Sequence, residues 1–129
     1  MTRIAVLFLS LLLCACTPLV TQQAGEPPLG FQGPRMTPDH FVSFDGTRLG
    51  LTTWEASAEE PWAVIVALHG MNDHDASFRL AGPWWAEQGV ETWAYDQRGF
   101  GQAPGRGRWA GEDRMTEDLR TAVARSEEH

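Results

Sequence analysis

The chain has no lysine, only one tyrosine, and no cysteine after Cys16. Positive charge therefore rests on arginine alone and is outweighed to a formal net charge of −7, a balance that repels phosphates and excludes a nucleic-acid partner. Beyond Cys16 there is neither a disulfide framework nor a thiolate nucleophile, so stability there must come from packing. A bridge between Cys14 and Cys16 themselves would strain disulfide geometry in so short a loop. Long apolar runs are scarce as well: Ile4 to Leu13 covers about ten residues, too few to span a bilayer. A length of 129 residues accommodates one small domain at most.

What the N-terminus does contain is a positive n-region at Arg3, the apolar stretch Ile4 to Leu13, and small residues after it, the layout of an export signal. Leu13-Cys14-Ala15-Cys16 resembles the bacterial lipobox, with Cys14 departing from the usual alanine or serine. That resemblance makes Cys16 the lipidated new N-terminus and implies a lipid-anchored envelope protein whose partner is the membrane. Thr17 after the cysteine, instead of aspartate, leans toward the outer membrane where the host has one. An ordinary secretory signal cleaved nearby is the alternative. The expected organisation is a signal peptide over 1–15, a flexible tether over 16–38 rich in Pro, Gly, Gln and Thr, and a domain over 39–129.

Within that domain, the alternation from Phe41, the Asp45-Gly46 turn and the resumed period of two at Leu49, Leu51 and Thr53 predict a hairpin. Ala63 to Leu68 is apolar on both faces, as expected of a strand covered by helices on either side. Val90 to Tyr95 repeats the pattern less purely. Between them, Phe78, Leu80, Ala81, Trp84 and Trp85 have helical spacing, Gly89 is a stop, and Pro83 predicts a kinked or late-starting helix. A Gly- and Arg-rich loop then leads to a helix expected to begin near Met115, with Thr116 as N-cap, Glu117 and Asp118 in its first turn, and a stripe of Leu119, Ala122 and Val123. Hairpin, strand, helix, strand, helix is the beginning of an α/β architecture.

Leu68-His69-Gly70-Met71-Asn72-Asp73, followed by Tyr95-Asp96-Gln97-Arg98-Gly99-Phe100-Gly101 and Gly105-Arg106-Gly107 with Trp109, resembles the alpha/beta-hydrolase superfamily. The nearest branch is the group of monoglyceride lipases, lysophospholipases and serine aminopeptidases. The likeness runs from about Phe41 onward and implies the N-terminal part of that fold, an incomplete sheet of hairpin and parallel strands with flanking helices. It also implies that the backbone amide of Met71 forms half of an oxyanion hole, the other half following the nucleophile. His69, Gly70, Asp96, Arg98, Gly99 and Gly101 are then structural turn residues beside the site.

Other readings of these residues are weaker. Gly99-Phe100-Gly101 lacks the third glycine of a dinucleotide fingerprint, since position 104 is proline. His69, Asp73, His74 and Asp75 have metal-ligand chemistry without a trustworthy spacing; no metal and no cofactor is expected, and Asp73 to Asp75 reads as a solvated loop. Six tryptophans are expected in the core and between helix and sheet, with the lining of an apolar acyl pocket as the alternative.

An esterase of the superfamily needs Gly-x-Ser-x-Gly, then an acid, then a histidine. Ser43, Ser57, Ser77 and Ser126 lack the flanking glycines, and Ser10 lies in the signal, so no complete catalytic set is present. The expectation is therefore a fragment of a lipid-anchored serine hydrolase, inactive alone, whose intact relative takes a small acyl ester of the monoacylglycerol or lysophospholipid type. A non-catalytic envelope lipoprotein, or a fragment of an aspartate-nucleophile hydrolase of the same fold, stands as the alternative. Family strand order further predicts that Ala63 to Leu68 forms an unpaired apolar edge and that the chain alone is poorly soluble.

Overall fold

Val90 to Tyr95 is buried along almost its whole length, and the sheet is built around it. The computed structural model describes Thr21, Gln22 and residues 25–128, so Cys16 and the expected signal peptide lie outside the described residues. Strands β1 (Arg35–Met36), β2 (His40–Val42), β3 (Arg48–Trp54), β4 (Ala63–Leu68) and β5 (Val90–Tyr95) form one sheet in the order β1-β2-β3-β5-β4. Neighbours from β1 to β3 are antiparallel, β3 is antiparallel to β5, and β5 is parallel to β4. A 3-10 turn (Asp75–Phe78) and helix α1 (Ala81–Glu87) connect β4 to β5, and helix α2 (Glu112–Ser126) follows the loop after β5. Hairpin, strand, helix, strand and helix follow one another as expected, in a mixed sheet of a partial α/β architecture. Among the described residues no helix is long and apolar enough to cross a membrane.

The hairpin forms where the alternation places it, with Phe41 opposite Leu49. Its turn closes through Ser43 N–H to Thr47 O at 2.9 Å and Gly46 N–H to Ser43 O at 3.0 Å, and Gly46 takes the left-handed φ of 79° that glycine tolerates without strain. Phe41 and Leu49 are fully buried, and each contributes about 2 kcal/mol of burial. They join Leu51, Trp93, Tyr95, Ala103 and Ala122 in the core, where the Phe41 and Tyr95 rings meet edge to face at 5.3 Å.

Several elements differ from expectation for identifiable reasons. The sheet begins inside the stretch expected to be a tether: Met36 packs against the core, and Thr37 closes a tight turn to His40, so β1 precedes position 39. β4 is not covered on both sides. Its faces leave Val64 and Leu68 more than a third exposed, while its place at the sheet edge among the described residues, paired only with β5, is the one that family strand order predicts. Helix α2 starts at Glu112, with Gly111 at its N-cap, so Thr116 lies inside the helix. Asp118 is 1% exposed, held inward by an arginine described below. Pro83 occupies the first turn of α1, where its missing N–H costs nothing, and the helix is late-starting after the 3-10 turn. The tryptophans divide: Trp93 is core, Trp54 packs on Gly82, while Trp62 and Trp84 are mostly exposed.

Candidate active site

Parallel register brings the two motif loops together. Leu68 is paired with Tyr95, so His69 and Asp96 leave the sheet side by side at the carboxyl ends of β4 and β5, the edge where α/β sheets bind ligands. His69 fastens one loop to the other. The Gln97 N–H donates to His69 Nε2 at 3.0 Å, so that nitrogen is bare and the proton sits on Nδ1, which faces Gly70 O at 2.8 Å. The Gln97 carboxamide in turn donates to His69 O at 2.6 Å, and the ring meets Phe100 edge to face. With both nitrogens engaged and the residue 5% exposed, His69 is an internal brace.

From Gly70 to Asp73 the chain turns, with Asp73 N–H on Gly70 O at 3.2 Å and Asn72 in the left-handed region at φ 61°. Asparagine is among the few side chains that tolerate this conformation. Met71 sits at the turn's second position, and its N–H donates to nothing among the described residues. The residue is 72% exposed.

Asp96 is the hub below this turn. Fully buried, it accepts the Asp75 N–H at 2.9 Å on one oxygen and the Gln102 N–H at 2.7 Å on the other. Its own N–H donates to Gly50 O at 2.8 Å. Gly101 and Gly50 exist to let it in: a Cβ on Gly101 would lie 2.2 Å from the Asp96 carboxylate, and one on Gly50 2.5 Å from it. Asp75 is not in a solvated loop, as the sequence suggests; it is 7% exposed because Thr52 on β3 donates to it at 2.6 Å. His74, Asp75 and Asp96 have ligand atoms within 4.8 Å of one another, a different grouping from the His69, Asp73, His74 and Asp75 of the sequence. Their carboxylate oxygens already take N–H and O–H donors, including Ala76 N–H at 2.7 Å on Asp75. The arrangement organises loops and leaves little capacity for a cation.

Arg98 is 3% exposed and spends its whole guanidinium within the fold. It makes paired bonds to Asp45 at 2.7 and 2.8 Å and to Asp118 at 2.7 and 2.8 Å, with a fifth to Thr47 at 3.0 Å. Ser43 adds an O–H to Asp118 at 2.5 Å. The hairpin turn, the motif loop and α2 thus converge on one cation. Burial works to raise the Asp45 carboxyl, but the Arg98 guanidinium and the Thr47 donors outweigh it and hold it below the ordinary carboxylate value. Burial works against the charged guanidinium as well, yet the two carboxylates raise its already high pKa. Nothing in the sequence marks Asp45 or Asp118 as partners of Arg98, since they lie 53 and 20 positions away.

Beside these braces lies a groove of about 430 Å³ lined by Met71, Asn72, Gly99, Phe100, Gly107, Arg108 and Trp109. The Met71 turn forms one wall and the Gly- and Arg-rich loop the other. A carbonyl entering this groove could meet the undonated Met71 N–H, the kind of fixed backbone dipole that stabilises a developing oxyanion. No serine, acid and histidine set accompanies it within residues 1–129.

Comparison with known proteins agrees with this geometry. The family model described as serine aminopeptidase, S33, matches residues 59–129. An uncharacterized abhydrolase domain-containing protein of Dictyostelium discoideum is 32% identical over 66 residues, covering 51% of this chain and 7% of its own length. Among solved structures, the alpha/beta hydrolase GrgF from Penicillium sp. sh18 superposes with a TM-score of 0.55 at 30% identity, covering 66% of this chain and 29% of that one. A soluble variant of monoglyceride lipase from Saccharomyces cerevisiae gives 0.56 at 22% identity, covering 86% and 34%. The chain thus spans about a third or less of the length of these relatives. With more than half of its residues matched by the family model and its sheet matched by the solved hydrolases, the chain belongs to the serine aminopeptidase (S33) family of alpha/beta hydrolases.

Proposed function

We propose that this chain supplies the first strands and half of the oxyanion hole of a lipid-anchored serine hydrolase that cleaves carboxylic esters of the monoacylglycerol or lysophospholipid type. The observation that carries the reading is the Met71 N–H, undonated among the described residues, at the carboxyl end of β4 on the rim of an apolar groove. Membership of a serine hydrolase family supports acyl transfer through a serine; Met71, Phe100 and Trp109 around the groove suit an acyl chain. The nucleophile, acid and histidine would come from outside residues 1–129, and these residues alone would be inactive. No cofactor is needed for such a reaction.

Reading the DNA past the codon for His129 in all three frames is the first test, and a Gly-x-Ser-x-Gly followed by Asp and His is the expected result. A protein carrying that serine should react with a fluorophosphonate probe, whereas residues 1–129 alone should not; an adduct on the short chain would overturn its inactivity. In the longer protein, Met71→Pro removes the N–H and should lower kcat by about a hundredfold to a thousandfold with KM little changed. An unaltered kcat would remove Met71 from the oxyanion hole. Incorporation of labelled palmitate should be lost in Cys16→Ala, and equal incorporation would refute the anchor.

A further inference from the structure

The segment preceding the sheet leaves the domain at the rim of the groove. Thr21 pairs with Trp109 in a parallel bridge, and Gln22 N–H donates to Trp109 O at 2.9 Å. The Gln22 carboxamide then donates to Arg108 O at 2.9 Å and to Gly105 O at 3.4 Å. This seat is shaped for its occupant. A Cβ on Gly105 would lie 2.5 Å from the Gln22 carboxamide carbon, and one on Gly99 would lie 2.6 Å from Arg108 O and 3.2 Å from the Gln22 amide nitrogen. Arg108 and Trp109, which receive the segment, also line the groove opposite Met71.

Chain length turns this contact into a constraint on orientation. Four residues separate Cys16 from Thr21. Even fully extended they place Cys16 no farther than about 18 Å from Thr21. A lipid on Cys16 would therefore hold the groove rim close to the headgroup layer. The rim is also suited in charge to that position. Although the chain carries a net charge of −7, Arg106 and Arg108 are exposed there, and neither pairs with a carboxylate among the described residues. Asp73, on the adjoining groove with Arg106, is the one acidic side chain lining either groove and leaves the rim net positive. Met71 stands out from it, 72% exposed.

We propose that this rim is the membrane-facing surface of the protein, with Arg106 and Arg108 on anionic phospholipid headgroups and Met71 and Trp109 in the interfacial layer. Gln22 is the positioning residue that fixes the orientation. The inference rests on the lipidation of Cys16 proposed above, and it makes the bilayer the side from which an acyl substrate reaches the groove.

The test uses the full chain, lipidated and reconstituted into vesicles of phosphatidylcholine with a minor fraction of phosphatidylglycerol. Nitroxide labels are placed singly at Met71→Cys, Arg108→Cys and Glu59→Cys, the last lying ahead of β4 at the opposite end of the parallel strands. Labels at Met71 and Arg108 should be shielded from a water-soluble nickel quencher and open to oxygen, while the label at Glu59 should be open to nickel. Lipid present on the N-terminal peptide by mass, with all three labels equally open to nickel, would overturn the orientation and leave the anchor intact. Absence of that lipid would overturn the anchor, and a second experiment then decides the surface. The Cys16→Ala chain should bind the same vesicles, and Arg106→Gln with Arg108→Gln should weaken binding about fivefold per arginine. Binding unchanged by both substitutions would overturn the rim as a membrane surface.

Discussion

Replacing Arg98 with methionine removes the one cation on which three separate parts of the chain converge. The guanidinium makes five hydrogen bonds to Asp45, Asp118 and Thr47, and the three charged side chains are 2–4% exposed. Methionine fills much of the volume but leaves two carboxylates buried without a counter-charge. Removing one partner of a buried pair costs about 3–5 kcal/mol, a large share of the roughly 5–15 kcal/mol that holds a domain together. At about pH 7 the urea midpoint, followed by tryptophan fluorescence, should fall by about 2 M for a slope of about 2 kcal/mol/M. The sign of the pH dependence is a second, independent reading. In the parent, the Asp45 pKa is held below its ordinary 3.8 mainly by Arg98, so its contribution is present above that value and is lost as pH falls through the folded pKa. In Arg98→Met the Thr47 donors remain, but the guanidinium that most lowers the Asp45 pKa is gone, so the folded pKa rises relative to the parent and protonation costs the variant less. The gap between parent and variant should therefore narrow as pH falls through the carboxylate range, from about 5 to about 3. A loss below about 1 kcal/mol, or a gap that stays constant over this range, would refute the assignment of Arg98 as the charge that ties hairpin, loop and α2 together.

Gly101→Ala should destabilise by more than about 2 kcal/mol, because its φ of 50° is strained for alanine and its Cβ would collide with Asp96; Gly107→Ala, with φ 75° and open space, should cost only about 1 kcal/mol in the same urea titration. Equal costs at the two glycines would show that Asp96 is not what excludes a side chain at position 101. Burial, with the Asp118 charge adding to it, pushes the Tyr95 phenol well above its ordinary 10.0. Stability should thus hold below about pH 10 and decline above it, and tyrosinate absorbance from this single tyrosine should rise only together with unfolding. Tyrosinate that appears near its ordinary pKa while the tryptophan signal remains native would contradict the burial. Val64→Lys on the exposed edge strand β4 should raise the concentration at which the chain aggregates, measured by light scattering, with little change in urea midpoint.

The elements legible in the sequence were those whose signal is local. Ala63 to Leu68 and Val90 to Tyr95 are strands to the residue, because β-branched runs bounded by breakers carry their own limits. Pro83 announced a late helix for the same reason, through a steric rule that acts within one turn. The start of α2 was misread because side-chain caps are the usual signal and Gly111 supplies none: with φ 94° and no capping hydrogen bond, it lets Thr116 imitate a start four residues inside the helix. The ladder of the candidate site was invisible for a different reason. Gln97 on His69, Thr52 on Asp75, and Arg98 on Asp45 and Asp118 join positions 20 to 53 residues apart, and the strand registers, the hairpin turn and the placement of α2 are what bring them together.

That ladder also explains how a groove can be held open in a fold with so few large buried side chains. Among the described residues the largest fully buried side chains of mainly apolar character are Tyr95, Phe41 and Leu49, and none of the three lines the groove. Rigidity at the rim comes instead from polar groups with fixed partners. Asp96 holds backbone N–H groups from the turn at Asp75 and the loop at Gln102, and His69 holds the Gln97 N–H, so the two walls are tied by buried side chains whose acceptors are fixed on backbone donors. Low local dielectric strengthens each such bond and penalises any alternative that leaves one of them unmade. Apolar packing would set the spacing of the walls only loosely, since methionine and phenylalanine side chains can repack. A backbone donor such as the Met71 N–H is useful in an oxyanion hole only where its position is fixed to a few tenths of an ångström, and a buried polar framework directly beneath it is the arrangement that meets this requirement.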